Sequence, residues 1–415
     1  MVARKRPRAT RARGPRSHPA MKPIAAIVTS VVVIAAAHAE AQPPVPAVRA
    51  AALTDNPDDA TPVERDERPT PPADVPPARP PTGRFEIGVG FSSDENFVAH
   101  AAIAQDDLFG TGQRLALTAD LSARRQTFGL AHEVPDLLST GLDLRTELFS
   151  TRRQHPGFVR DGAGGAVTVG HRLDRTTRVY LRYRVEQIGV SLDGTDAAGA
   201  AASARSLVPP SLGDGLLAGL GAGFAYETLD ARDLPTRGSR LELFAERAAP
   251  WLGSEHDLVR VAAAADHARP LGRFTLRLQG RGAYVHSRDP GGVPLSERLQ
   301  HDGHAELRGY PLGSLGPFAF GDRAIGGADL EASGRVELEL PVWRAGGLSV
   351  AAFADAGVRH NGEAAWGPTG AELHRSVGAS IIWRSPIGPL RFDWAIPLEG
   401  PDRRPVLLFG LGGSF

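Results

Sequence analysis

His304-Ala305-Glu306-Leu307-Arg308-Gly309-Tyr310-Pro311 opens a stretch that closes on Gly334-Arg335-Val336-Glu337-Leu338-Glu339-Leu340-Pro341. Its end alternates strictly, with Val336, Leu338 and Leu340 on one face and Arg335, Glu337 and Glu339 on the other. That is a period-2 strand with one apolar and one charged face. Before it runs a long segment punctuated by Gly316-Pro317 and Gly326-Gly327, with Arg308 near its start. A loop beyond the usual ~12–15 residues is expected to be a functional element.

Working outward, the same alternation recurs from Arg84 to the end. Phe85, Ile87 and Val89 alternate with Glu86, Gly88 and Gly90. Val179, Leu181, Tyr183 and Val185 oppose Arg178, Arg182, Arg184 and Glu186. Leu390, Phe392, Trp394 and Ile396 oppose Arg391 and Asp393. A soluble sandwich would turn the apolar face inward; a membrane barrel turns it to lipid and faces the charges into a wet lumen. Local pattern cannot separate the two. Strand lengths of ~9–11 residues or more, an aromatic C-terminus and a secretion signal favour the membrane. Counting segments gives about sixteen antiparallel strands, an even number as bacterial barrels require. Trp343 and Trp383 are expected beside turns at one end and Trp251 beside a loop at the other, at the depth where amphipathic rings favour an interface.

Charge is balanced, 47 basic against 47 acidic residues, so nothing in the composition asks for nucleic acid. Cysteine is absent, which excludes a disulfide framework, a thiolate metal site and a cysteine nucleophile. Residues 1–20 hold seven basic groups, and Met21-Lys22 leads into an uncharged run from Ile24 to Ala37. That run ends in Ala37-His38-Ala39 and Ala39-Glu40-Ala41, both small-x-small, so 1–41 reads as a signal peptide with a basic leader. Residues 42–83 contain 12 prolines and no aromatic residue. Such a segment buries too little to offset its ordering entropy and reads as a disordered linker, with the barrel occupying 84–415.

Several ordered motifs carry a family resemblance over about the last 330 residues. Arg308-Gly309-Tyr310, Gly326-Gly327, and Glu337 four residues before Pro341 resemble the sixth loop and twelfth strand of the Omp-eighty-five superfamily, the BamA/TamA-type outer-membrane barrels. Gln105-Asp106-Asp107-Leu108-Phe109-Gly110-Thr111-Gly112 is similar to its first periplasmic turn, and Phe353-Ala354-Asp355-Ala356-Gly357 to its thirteenth strand. Ala328 stands where the family usually has Asn after the glycines. Gly410 and the terminal Phe415 resemble the C-terminal assembly signal, with Leu408 and Gly413 departing from it. The resemblance implies residence in the bacterial outer membrane and a role in inserting or translocating proteins or lipids there. The partners it implies are the bilayer itself, unfolded outer-membrane proteins, or an accessory periplasmic subunit. That family carries periplasmic POTRA domains ahead of the barrel. The Pro-rich 42–83 cannot encode one, so the expectation is a barrel without them. A passive pore and a partner-dependent structural barrel are the rival readings.

Enzyme motifs are missing: there is no Gly-x-Ser-x-Gly elbow, no His-Glu-x-x-His and no phosphate loop. Gly219-x-Gly221-x-Gly223 hints at a nucleotide loop, but its third glycine is one place early and no helix pattern follows. No catalytic residue, metal or cofactor is expected. The one constellation singled out is Arg308 with Glu337 and Asp355. Both acids fall on inward parity, so a loop folded into the lumen would let Arg308 bridge them through forked hydrogen bonds of ~1.5–3 kcal/mol each. The resemblance implies the same pairing. On this reading Glu337→Gln costs less than Arg308→Ala, because Asp355 remains.

If 42–83 is unfolded, added protease cleaves it while the barrel from Arg84 resists in membranes. A protected fragment retaining these residues would show that they fold.

Overall fold

The computed structural model describes residues 82–192, 212–231, 233–316, 318–319, 324–385, 388–400 and 403–411. The signal sequence, nearly all of the Pro-rich segment and Phe415 lie outside the described residues. Eleven strands come first: β1 (Gly83–Ser92), β2 (Asn96–Leu108), β3 (Gln113–Ser122), β4 (Arg125–Val134), β5 (Leu142–His155), β6 (Phe158–Arg172), β7 (Thr177–Leu192), β8 (Gly215–Glu227), β9 (Gly238–Ala248), β10 (Leu258–Leu271) and β11 (Phe274–Ser287). A long connection follows, carrying a separate two-stranded sheet of β12 (Phe318–Ala319) and β13 (Ala324–Ile325). Then come β14 (Leu330–Trp343), β15 (Leu348–Asn361), β16 (Gly370–Ser385), β17 (Gly388–Pro397) and β18 (Val406–Leu411).

All but β12 and β13 pair antiparallel with their neighbours and close into a sixteen-stranded barrel, with β1 meeting β18. Burial decides between the two architectures that alternation left open. On β14 the apolar Val336 and Leu338 are 48% and 38% exposed, while Glu337 and Glu339 are 6% and 1% exposed. The apolar face looks outward and the charged face inward, the arrangement of a barrel in lipid. Among the described residues no helix is long and apolar enough to cross a membrane.

The inner face is not uniformly wet. Ile188, Leu217, Leu258 and Val285 form an apolar cluster on the inner wall. Val293, Leu299 and Ala328 of the long connection pack onto it. The connection supplies its own apolar residues, and the wall provides the matching surface. Gly219, Gly221 and Gly223 lie along β8 facing this interior. A side chain at Gly219 would press on Glu246, one at Gly221 on Phe244, and one at Gly223 on the Tyr180 ring. These glycines make room on a strand for bulky neighbours.

Tryptophans mark both ends. Trp343 closes β14, and the Trp383 indole donates to the Gly346 carbonyl in the adjoining turn at 2.9 Å. At the opposite end Trp251 sits in a 3-10 turn (Pro250–Leu252) and is 73% exposed.

Candidate functional site

The connection between β11 and β14 turns back into the barrel, and Arg308 is its deepest charged contact with β14 and β15. Its Nε and Nη2 donate to the two Asp355 carboxylate oxygens at 2.8 and 2.7 Å, and its Nη1 donates to Glu337 Oε2 at 2.9 Å. All three residues are buried. The guanidinium also lies over the Phe353 ring, 3.5 Å from its centre. Burial opposes the Arg308 charge, but the hydrogen bond to Asp355 and its charge outweigh that and raise the pKa above its ordinary value.

Gly309 takes φ +94°, a left-handed conformation that favours glycine. The chain reverses there, so Arg308 reaches β14 and β15 while Tyr310 reaches β16 and β17. The Tyr310 hydroxyl donates to the Arg375 carbonyl at 2.8 Å and accepts from the Glu399 amide at 3.2 Å. It docks just past Pro397, where the β16–β17 ladder ends.

Glu337 is more than one partner in a triad. Arg277 from β11 donates to its Oε1 at 3.1 Å, and Arg391 from β17 donates to it as well, at 3.3 Å through Nη1. Arg391 in turn holds Asp393 at 2.8 Å, and Arg277 reaches Glu339. Glu337 is therefore the shared counter-charge of three guanidinium groups from three parts of the chain. Losing Glu337 therefore takes one partner from each of the three arginines, not from Arg308 alone. Its removal leaves each guanidinium with one remaining carboxylate: Asp355 for Arg308, Glu339 for Arg277 and Asp393 for Arg391.

A second anchor of opposite sign lies on the other side of the loop. Glu297 is fully buried and accepts from Arg160 of β6 at 3.0 Å and from Arg260 of β10. Arg160 also donates to Glu186 of β7 at 2.9 Å and to the Ser296 carbonyl at 3.1 Å. Burial disfavours the Glu297 carboxylate, but Arg260, Arg160 and Arg184 outweigh it and pull its pKa down to about 2. Arg298 next to it donates to the Gly327 carbonyl at 2.9 Å, to Asn361 at 2.7 Å and to Glu363 at 2.9 Å. Sequence reasoning missed Glu297, Arg160, Arg277 and Arg391. The inward parity of the three arginines was readable; their meeting with loop and wall acids depends on how the loop and barrel fold.

Gly410 pairs with Ser92 and with Arg391 across its two neighbouring strands. Among the described residues no group of three His, Cys, Asp or Glu side chains is placed to hold a metal. The loop and wall act as a set of buried, oppositely charged clamps.

Comparison with known proteins places this arrangement. The family model for the Omp85 superfamily domain matches residues 107–415. The outer membrane protein assembly factor BamA of Nitratidesulfovibrio vulgaris is 27% identical over 328 residues, which cover 77% of this chain and 40% of that protein. BamA of Neisseria meningitidis serogroup B is 26% identical, over 80% of this chain and 47% of that protein. The chain thus spans less than half the length of these relatives. Among solved structures, BamA from Haemophilus ducreyi lacking POTRA domains 1–3 superposes with a TM-score of 0.67 at 22% identity, covering 81% of this chain and 71% of that one.

Arg308→Ala leaves two acids beside each other and is expected to lower barrel stability by about 3–5 kcal/mol. Glu337→Gln is expected to cost less, because Asp355, Glu339 and Asp393 remain for the three arginines. The double variant should be less damaging than the sum, because the sites share one network. Thermal unfolding in detergent measures all three; simple additivity would mean that Arg308 and Glu337 do not interact.

The second clamp predicts an acid weakness. Glu297 has a lowered pKa in the folded state, so the released loop binds protons more readily than the docked one. Its contribution is complete above the ordinary carboxyl value of 4.5 and is lost as pH falls toward about 2. Unfolding temperature should therefore drop across that window, and Glu297→Gln should flatten the drop. An unchanged pH profile in the variant would remove Glu297 from the clamp.

Proposed function

The chain belongs to the Omp85 superfamily, and from that premise we propose that it is a bacterial outer-membrane barrel that helps insert or translocate proteins. The observation that carries this reading is the seam. β1 and β2 share ten residue pairs. Among the described residues β1 and β18 share two, Phe91 with Leu411 and Ser92 with Gly410. A β-carbon on Gly90 would lie 2.7 Å from the Leu411 carbonyl oxygen, so the close approach at this end needs glycine. The edge of β1 from Gly83 to Gly90 has no described partner on that side.

Unpaired backbone groups in hydrocarbon each cost several kcal/mol, so any length of β1 edge released at the seam would pair with whatever strand is offered. An incoming strand adds to such an edge through main-chain hydrogen bonds, and its own alternate side chains then face lipid. Phe85, Ile87 and Val89 stand outward along that edge, each more than half exposed. The substrates this supports are unfolded outer-membrane proteins, received directly or through an accessory periplasmic subunit. In this orientation β1 begins on the periplasmic side, residues 1–41 direct export, and the long loop enters from outside. The loop, clamped through Arg308 and Glu297 to opposite parts of the wall, speaks against a passive open pore.

The absence of native cysteine makes the seam testable. Ser92→Cys with Gly410→Cys should form a disulfide that locks β1 to β18. Insertion of a client barrel into proteoliposomes is expected to fall at least tenfold when oxidised and to recover with reductant. Equal insertion by the locked barrel would mean that the seam does not open during its work.

A further inference from the structure

Outward-facing residues on a barrel in lipid should be apolar through the membrane. On β4 to β7 they follow that rule for part of the height only. Leu130, Leu148, Gly165 and Val185 lie in one cross-strand row. The row above it, toward the external end, reads Phe128, Ser150, Ala163 and Gln187. The next reads Gln126, Arg152, Asp161 and Gly189. Each of the four strands thus gains a polar side chain within these two rows, β5 and β7 in the first and β4, β5 and β6 in the second.

These two upper rows are also hollow. Ser150, Ala163 and Gly189 are small and lie between the larger Phe128, Arg152 and Gln187. Together they line a depression with an internal volume near 570 Å³. That falls in the size range of small-molecule sites, ~300–1,000 Å³. Arg152 donates one Nη1 to both oxygens of Asp161, at 2.9 and 3.1 Å. Each charge cancels the other, so the depression is polar without being charged. The side chains of Gln126, Ser150 and Gln187 make no hydrogen bond within the described residues. Each amide offers two donors and an acceptor.

The height of the depression is marked by a neighbour. The 3-10 turn carrying Trp251 folds down outside the barrel, and the Tyr183 hydroxyl of β7 donates to the Leu252 carbonyl at 2.8 Å. An exposed Trp on a lipid-facing wall marks the membrane interface. Tyr183 lies one row below Leu148 and Val185, so the polar rows stand above it, at headgroup level.

We propose that this depression binds the sugar headgroup of a glycolipid of the external leaflet. Two planar amides and a hydroxyl suit vicinal hydroxyl groups, and the Phe128 ring at the rim offers an apolar edge to a sugar ring. The internal Arg152–Asp161 pairing disfavours a bare phosphate, which would need an uncompensated cation. The apolar row below accepts the acyl chains. This inference rests on the outer-membrane placement but not on seam opening.

The test reconstitutes the full chain in nanodiscs of phosphatidylethanolamine and phosphatidylglycerol containing purified lipopolysaccharide, then counts retained lipopolysaccharide by native mass spectrometry after mild extraction. Two variants attack the site differently. Gln126→Leu with Gln187→Leu removes the donors. Gly189→Trp fills the hollow, and the position has room because a β-carbon there meets nothing within 4 Å. Heat-modifiable mobility reports that each barrel is folded. Both variants are expected to lose retained lipopolysaccharide at least tenfold. Competition by the delipidated core saccharide would assign recognition to the sugar alone; failure of that competition, with retention still site-dependent, would assign it to the intact glycolipid. Equal retention by the native chain and both variants, or equal displacement by phosphatidylglycerol, overturns the proposal. The seam-locked Ser92→Cys, Gly410→Cys barrel should bind as the native chain does, which separates this result from the insertion reading.

Discussion

A buried ion cluster holds the long loop, and the rest of the interior is arranged around it. Arg308 places a full positive charge against the wall and meets Asp355 and Glu337 within 2.9 Å. A charge taken this far from water is tolerable only with paired partners. The wall meets that condition from several strands at once: β14 and β15 bring the acids, while β11 and β17 bring Arg277 and Arg391 to balance them. The consequence is specificity of position. The loop cannot slide by one residue without uncovering charge.

The opposite clamp works by the same rule with the signs exchanged. Glu297 of the loop enters a set of wall arginines, and Glu186 and Glu246 compensate those arginines in turn. Between the clamps the loop buries its apolar residues against Ile188, Leu217 and Leu258. The interior therefore combines a hydrophobic core, which supplies most of the attraction, with two charged fixtures that set where it sits. Against this closely bound interior, the seam joins β1 to β18 through two pairs among the described residues. A loop clamped inside the lumen suits a barrel that works through its side rather than its centre.

The outer surface carries its own information. A lipid-facing wall needs only to be apolar, so the polar side chains gathered across β4 to β7 depart from what solvation by lipid requires. The hollow they line sits at the headgroup level, where a polar ligand and a lipid anchor can be met together.

Much of this was legible in the residues themselves. Strict alternation has period 2, and a strand has no other choice of face, so the number of strands and the parity of Glu337 and Asp355 follow from local pattern. Ordered motifs from Gln105 to Phe415 carried the family resemblance. Parity, however, does not say which face meets lipid. That depended on closure, because only a closed sheet has an inside to which charges can be assigned. Nor does parity say which inward charges meet. Arg277 stands directly opposite Glu337 on the adjacent strand, but Arg391 reaches it from β17 and Arg308 from the loop, and only the closed barrel brings these together. Glu297 had no local signal, because its partners Arg160 and Arg260 lie 137 and 37 residues away in the chain. The sequence by itself determined the strands, their faces and the presence of an unusual loop, since these rest on steric period and short-range chemistry. The tertiary structure alone decided the inversion of the faces and the pairing of buried charges, because each depends on distances between residues remote in sequence.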